Sequence, residues 1–163
     1  MRTVVPRPAA RLWRSLLLLL LPLAFVSGCA SFVPDYDQPS RDRIVAISED
    51  ILGLYQDLLT TPPAARRAKV AELQPLYNKI DTELQVDLML EEVRSKNDES
   101  IRIAQDLSAH FQDVHKSHQS GDPDALKNVT LVSERDIFQG ILTAALKAED
   151  AKKLANPVTG GAS

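Results

Sequence analysis

From Ile44 to Leu58 the residues Ile44, Ile47, Ile51, Leu54 and Leu58 recur at intervals of three and four, with Asp42, Arg43, Glu49, Asp50 and Asp57 mostly elsewhere. This is the stripe of an amphipathic helix. The chain offers no competing pattern: there is no period-two run of β-branched residues bounded by turns, and no hairpin dipeptide. An all-α fold is therefore expected. Ser40 can cap the first helix, and Thr60-Thr61-Pro62-Pro63 ends it, because Pro62 lacks a donor and drives the preceding residue out of helical space.

The same logic carries down the chain. Ala64 to Leu73 reads as a short helix begun by Pro63 and interrupted at Pro75. Beyond it, Leu76, Ile80, Leu84, Leu88 and Val93 share a face, with Tyr77 close by. Lys96-Asn97-Asp98-Glu99 breaks the stripe, and Asn97 is a cap candidate. Two readings stay open here: a boundary at Asn97, or one helix of more than 40 residues with a polar middle. Ile101, Ala104, Leu107, Phe111 and Val114 then run on to about His118, and Gln119-Ser120-Gly121-Asp122-Pro123 is a turn. In the last segment Leu126, Val129, Val132, Ile137, Ile141 and Leu146 set the apolar face, and Ser133-Glu134-Arg135-Asp136, which resembles a capping box, splits it. About four main helices with short connections predict an up-and-down bundle over residues 40–156. Residues 157–163 form a polar tail with the composition of a disordered segment.

The N-terminus is of another kind. Arg2, Arg7, Arg11 and Arg14 precede an apolar run from Leu16 to Val26, shorter than the ~20 residues that span a bilayer as a helix. A basic start and a short apolar core describe a secretory signal peptide over residues 1–28. The run ends at Val26-Ser27-Gly28-Cys29, which holds the only cysteine of the chain. These four residues resemble the lipobox of bacterial lipoproteins. The resemblance implies cleavage before Cys29, a diacylglycerol on its thiol and an acyl chain on the freed amine. An ordinary cleaved signal would instead leave a lone reactive thiol in an oxidising compartment. Residues 29–39, with Pro34 and Pro39, then read as a lipidated tether. Ala30 and Ser31 carry no charge, whereas an aspartate after the lipidated cysteine commonly retains such proteins in the inner membrane. In a Gram-negative host the resemblance thus implies the outer membrane, periplasmic face.

Loss of residues 1–28 removes four arginines and no carboxylate, taking the net charge from −3 to about −7. So acidic a chain has no electrostatic footprint for nucleic acid. Its membrane contact is expected through acyl chains.

Residues with chemical potential are few. His110, His115 and His118 lie within nine positions, but His110 and His115 stand about 140° apart on a helix. His115 and His118 are thus only weak metal candidates, and solvated histidines at a helix end are the simpler expectation. The chain has no Glu-x-x-His for a carboxylate-bridged metal pair and no Cys-x-x-Cys-His for haem. No signature of a catalytic nucleophile occurs, so neither catalytic residues nor a cofactor beyond the covalent lipid is expected. Glu91-Glu92 and Asp81/Glu83 read as a solvated acidic face. Tyr55 and Tyr77 read as core residues whose hydroxyls reach the surface. Phe32 and Tyr36 sit in the tether, at head-group level or at a partner-binding edge. Asn128-Val129-Thr130 matches a glycosylation sequon by chance.

The function expected from these features is that of a membrane-anchored periplasmic lipoprotein with a structural or protein-binding role. Its partners would be another envelope protein or a second copy of itself. Two other classes stay open: a ligand-binding or enzymatic module using the bundle interior, and an inhibitor or immunity-type protein masking an envelope enzyme.

Overall fold

A computed structural model describes residues 34–155, so the signal peptide, the lipobox Val26 to Cys29, Phe32 and the tail 157–163 lie outside the described residues. The chain forms α1 (Gln38–Thr60), a 3-10 turn (Pro63–Ala65), α2 (Arg66–Glu72), α3 (Gln74–Glu92), α4 (Asp98–Gln119) and α5 (Asn128–Ala155). No strand occurs among the described residues, and the fold is an all-α bundle.

Helix α1 buries Ile44, Ile47, Ile51, Leu54 and Leu58 as its spacing requires, with Tyr55 beside them. It begins earlier than Ser40. Asp37 is the N-cap, and its carboxylate accepts hydrogen bonds from Ser40 N at 3.0 Å and Ser40 Oγ at 2.7 Å. Pro39 sits in the first turn, where a missing N–H leaves nothing unpaired. At the other end Thr61 is extended ahead of Pro62.

Residues 76–118 form two helices. Helix α3 stops at Glu92, Lys96 takes a left-handed φ of 59°, and α4 starts after Asn97. Asn97 holds the cap position, but its side chain turns to Glu91 and Lys152. Gly121, with φ 83°, closes α4 in the left-handed conformation that glycine adopts without a Cβ clash.

Cross-helix pairs fix the topology. Arg43 meets Asp87 and Lys79 meets Asp50, so α1 and α3 are antiparallel. His115 with Asp81 and Gln119 with Gln74 do the same for α3 and α4, His118 with Glu134 and Ser100 with Lys152 for α4 and α5, and Arg41 with Asp150 and Tyr55 with Glu134 for α1 and α5. The long helices therefore run up, down, up and down, and each packs mainly on two antiparallel neighbours. The bundle has an entry end, where α1 and α4 begin and α3 and α5 finish, and a far end capped by α2 and the α4–α5 connection.

Two helices bury a face turned from the one expected, although Ile80 and Leu84 lie in the core and Leu76, Ile141 and Leu146 pack against it. In α3 the inward positions are Tyr77, Ile80, Leu84, Asp87 and Glu91, while Val93 is 80% exposed. In α5 they are Leu131, Phe138, Leu142, Ala145, Glu149 and Lys152, and Val129, Val132 and Ile137 face outward. Helix α5 is also unbroken through Ser133–Asp136. The reason is common to both: polar residues occupy inward positions and blank out the apolar period there.

Candidate functional site

Those inward polar residues form two clusters, one at each end of the bundle. At the far end His118, fully buried, is held on both sides. Its Nδ1 lies 2.6 Å from Tyr77 Oη, and its Nε2 lies 3.0 Å from Glu134 Oε2, which Tyr55 Oη also reaches at 3.3 Å. Burial first, and the Glu134 charge second, push both tyrosine pKa values well above the ordinary phenol value. Both phenols therefore remain donors. The Tyr77 hydroxyl and the Glu134 carboxylate thus engage the two ring nitrogens of His118, one on each side. The tyrosine hydroxyls do not reach the surface as expected; both residues are fully buried, because polar partners await them inside.

His115 lies one turn back. Its ring stacks on Tyr77 at 4.6 Å between centroids, its Nδ1 contacts Asp81 Oδ2 at 2.8 Å, and Gln74 and Gln119 amides approach its Nε2 at 3.0 and 2.9 Å. The expectation of solvated histidines fails for both residues: the helix end that carries them is roofed by α3 and α5. As metal ligands His115 and His118 are directed to separate partners, and among the described residues no group of three or more His, Cys, Asp or Glu side chains is assembled for an ion.

Arg66 completes the far end, and nothing in an alanine- and arginine-rich segment singles it out. Its buried guanidinium donates to Leu58 O at 2.9 Å, Thr61 O at 3.1 Å, Leu126 O at 2.7 Å and the Asn128 side chain. One side chain thus ties the end of α1 to the start of α5. Arg67 likewise donates to His118 O and Asp122 O. An open cleft of about 440 Å³ lies beside these arginines and Lys127. The cations facing it are already engaged, the arginines by backbone carbonyls and Lys127 by Asp124.

The entry end is ionic. Asp87, Glu91 and Glu149 face Arg43, Arg94 and Lys152, and all three carboxylates are buried. Glu91 accepts from Ser40 Oγ at 2.8 Å, from Arg94 at 2.9 Å and from the Asn97 amide. Lys152 donates to Asn97 Oδ1 and Ser100 Oγ, each at 2.8 Å, and to Glu149. Burial opposes ionisation of Glu91, but its hydrogen bonds from Asn97 and Ser40 and the Arg94 charge outweigh that and hold its pKa below the ordinary value. Asp87 has weaker support. Burial, aided by the Glu91 charge, pushes it up to about 6. Glu91 thus leaves the solvated acidic face to which its sequence assigns it, and Asp87, which the sequence pattern does not single out, is buried one turn before it; Glu92 stays exposed, and Asp81 and Glu83 are partly buried.

Between Asp87, Glu91, Ser100 and Glu149 the room left is about 20 Å³, enough for about one water. Glu149, whose Oε2 has no hydrogen-bond partner, is among the residues that line it. This arrangement binds helices to one another, and His115 and Asp81 also line an open surface cleft of about 200 Å³ with Gln85, Gln112 and Lys116. Comparison of the chain with protein-family models, with curated proteins and with solved structures finds no match.

Proposed function

We propose that this protein is a lipid-anchored component of the cell envelope, held at the periplasmic face of the outer membrane by acyl chains on Cys29. In this reading its bundle has a structural or protein-binding role exercised through its outer surface. The anchor rests on Val26-Ser27-Gly28-Cys29 and the basic, short apolar segment before it. The observation that carries the role is the filled interior. Tyr55, Tyr77, Phe111 and Phe138 fill the core toward the far end, and most polar groups of the two clusters are used on each other. That favours surface contacts over an interior ligand or a reaction. Among the described residues no helix is long and apolar enough to cross a membrane, so attachment in this reading falls to the lipid.

Metabolic labelling with palmitate tests the anchor: Cys29→Ala should accumulate uncleaved precursor without label, and normal processing of that variant would remove the lipoprotein reading. Photo-crosslinking in intact cells from Val129 or Ile137, both exposed at the far half of α5, tests the role. Capture of neither an envelope protein nor a second copy would remove the binding function.

A further inference from the structure

In the last two turns of α3 the usual sidedness of a surface helix is inverted. Asp87 and Glu91 point into the bundle at 4% and 3% exposure, whereas Val86, Met89, Leu90 and Val93 stand outside at 44%, 64%, 38% and 80%. At 100° per residue the four apolar side chains fall within an arc of about 100°, opposite the buried face, and extend about 10 Å along the axis. Burial of the acidic pair is held in place by Ser40, Arg43, Arg94 and Asn97, so the outward stripe is imposed by specific partners inside.

We propose that this stripe rests on the bilayer surface to which the anchor confines the bundle's entry end, an inference that rests on lipidation of Cys29. Its position supports the assignment. Glu91 is hydrogen-bonded to Ser40, three residues after the Asp37 cap, so the stripe lies at the end of the bundle where the chain enters. Only Ala30 to Tyr36 separate that cap from Cys29, a reach of at most about 28 Å even if fully extended. The size of the patch points the same way. Four side chains are far fewer than the ~20–30 residues a side of a stable protein interface. They suffice for a surface at which acyl chains already hold them, because tethering turns weak contact into an intramolecular event. Apolar helix faces of this kind settle about 5–10 Å into the head-group boundary. Glu92, Asp98 and Glu99 offset Arg94 and Lys96 in the same stretch, so the attraction is apolar, suited to zwitterionic lipid.

The test uses the lipidated protein. The only tryptophan of the chain is Trp13, within the segment removed on processing, so Val93→Trp places a single indole on the stripe of the mature protein. The variant is reconstituted into phosphatidylcholine vesicles with and without brominated acyl chains. Blue-shifted emission that bromine quenches and 1 M salt leaves unchanged is the expected result. Ile137→Trp, on the far half of α5, should show neither effect. Water-like emission from Val93→Trp in protein that carries palmitate and floats with the vesicles would overturn the contact while leaving the anchor intact. Blue-shifted but unquenched emission would assign the stripe to a second copy and equally overturn it. Absence of palmitate would instead remove the anchor, and this inference with it.

Discussion

The two ends of the bundle solve the same problem with different chemistry. At the far end, the His118 ring, two protonated tyrosines and Arg66 are matched to hydrogen-bond partners, with Glu134 the carboxylate that His118 and Tyr55 both contact. At the entry end three carboxylates and three cations are packed together. Charges taken from water recover their desolvation only through close partners, so an ionic cluster adds little net stability and is badly hurt when one member is lost. The entry end should thus be the more fragile to single substitutions and the more responsive to pH. What it supplies is register, since Glu91 binds α3 to α1 and Lys152 binds α5 to α4.

The largest effect should come from stranding a charge. Glu149→Ala leaves Lys152 buried with only the Asn97 and Ser100 oxygens, and should lower unfolding free energy by about 3–5 kcal/mol. The double variant Glu149→Leu/Lys152→Met, which removes the pair, should regain most of that loss. Urea unfolding of both variants checks this. If the double variant is no more stable than the single one, the entry end is not governed by ion desolvation.

A smaller, pH-dependent effect belongs to Asp87. Its folded pKa, about 6, lies above the ~3.9 of an exposed aspartate. A raised carboxyl favours folding while protonated. Its contribution is complete below about pH 4 and is lost as pH rises through about 6, which corresponds to about 3 kcal/mol over that window. Glu91 acts oppositely: its lowered pKa gives stability above the ordinary carboxylate range that is lost as pH falls through its folded value. In Asp87→Asn the decline between pH 4 and 6 should vanish, with Glu91's acid limb remaining. Arg43 is not stranded, for it is partly exposed and keeps Ser40 Oγ at 2.8 Å. Urea midpoints across pH 3–8 measure both limbs, and parallel profiles for the two proteins would refute the assignment.

Helix α1 and the breaks at Pro62 and Gly121 were legible in the sequence because their signals are local, whereas the break at Asn97 stayed one of two open readings, since Asn97 does not cap with its side chain. A continuous apolar stripe, a proline's missing donor and a glycine's left-handed backbone need no knowledge of neighbours. The inner faces of α3 and α5 were not legible, since an apolar count cannot distinguish Glu91, Glu134, Glu149 or Lys152 as buried polar partners from solvated charges. Each lies about 50 residues or more from, or a whole helix away from, a group that stabilises it: Glu91 with Ser40, Glu149 with Arg94, Lys152 with Asn97. The histidines misled for the same reason. Position at a helix end suggested solvent, but α3 and α5 cover that end. Arg66 had no signal at all, because its acceptors are backbone carbonyls that every sequence contains.

The smallest expected effect separates the far end from the entry end most sharply. Tyr77→Phe keeps the ring stacked on His115 and packed against Phe111, and deletes only the hydroxyl that hydrogen-bonds His118 Nδ1. A buried polar atom left without its partner costs about 1–3 kcal/mol, well below the loss for a stranded ion. Urea unfolding of Tyr77→Phe should therefore show a modest destabilisation of that size. An unchanged urea midpoint would mean that Tyr77 only fills space, and the far end would then be held by packing and by Arg66 alone.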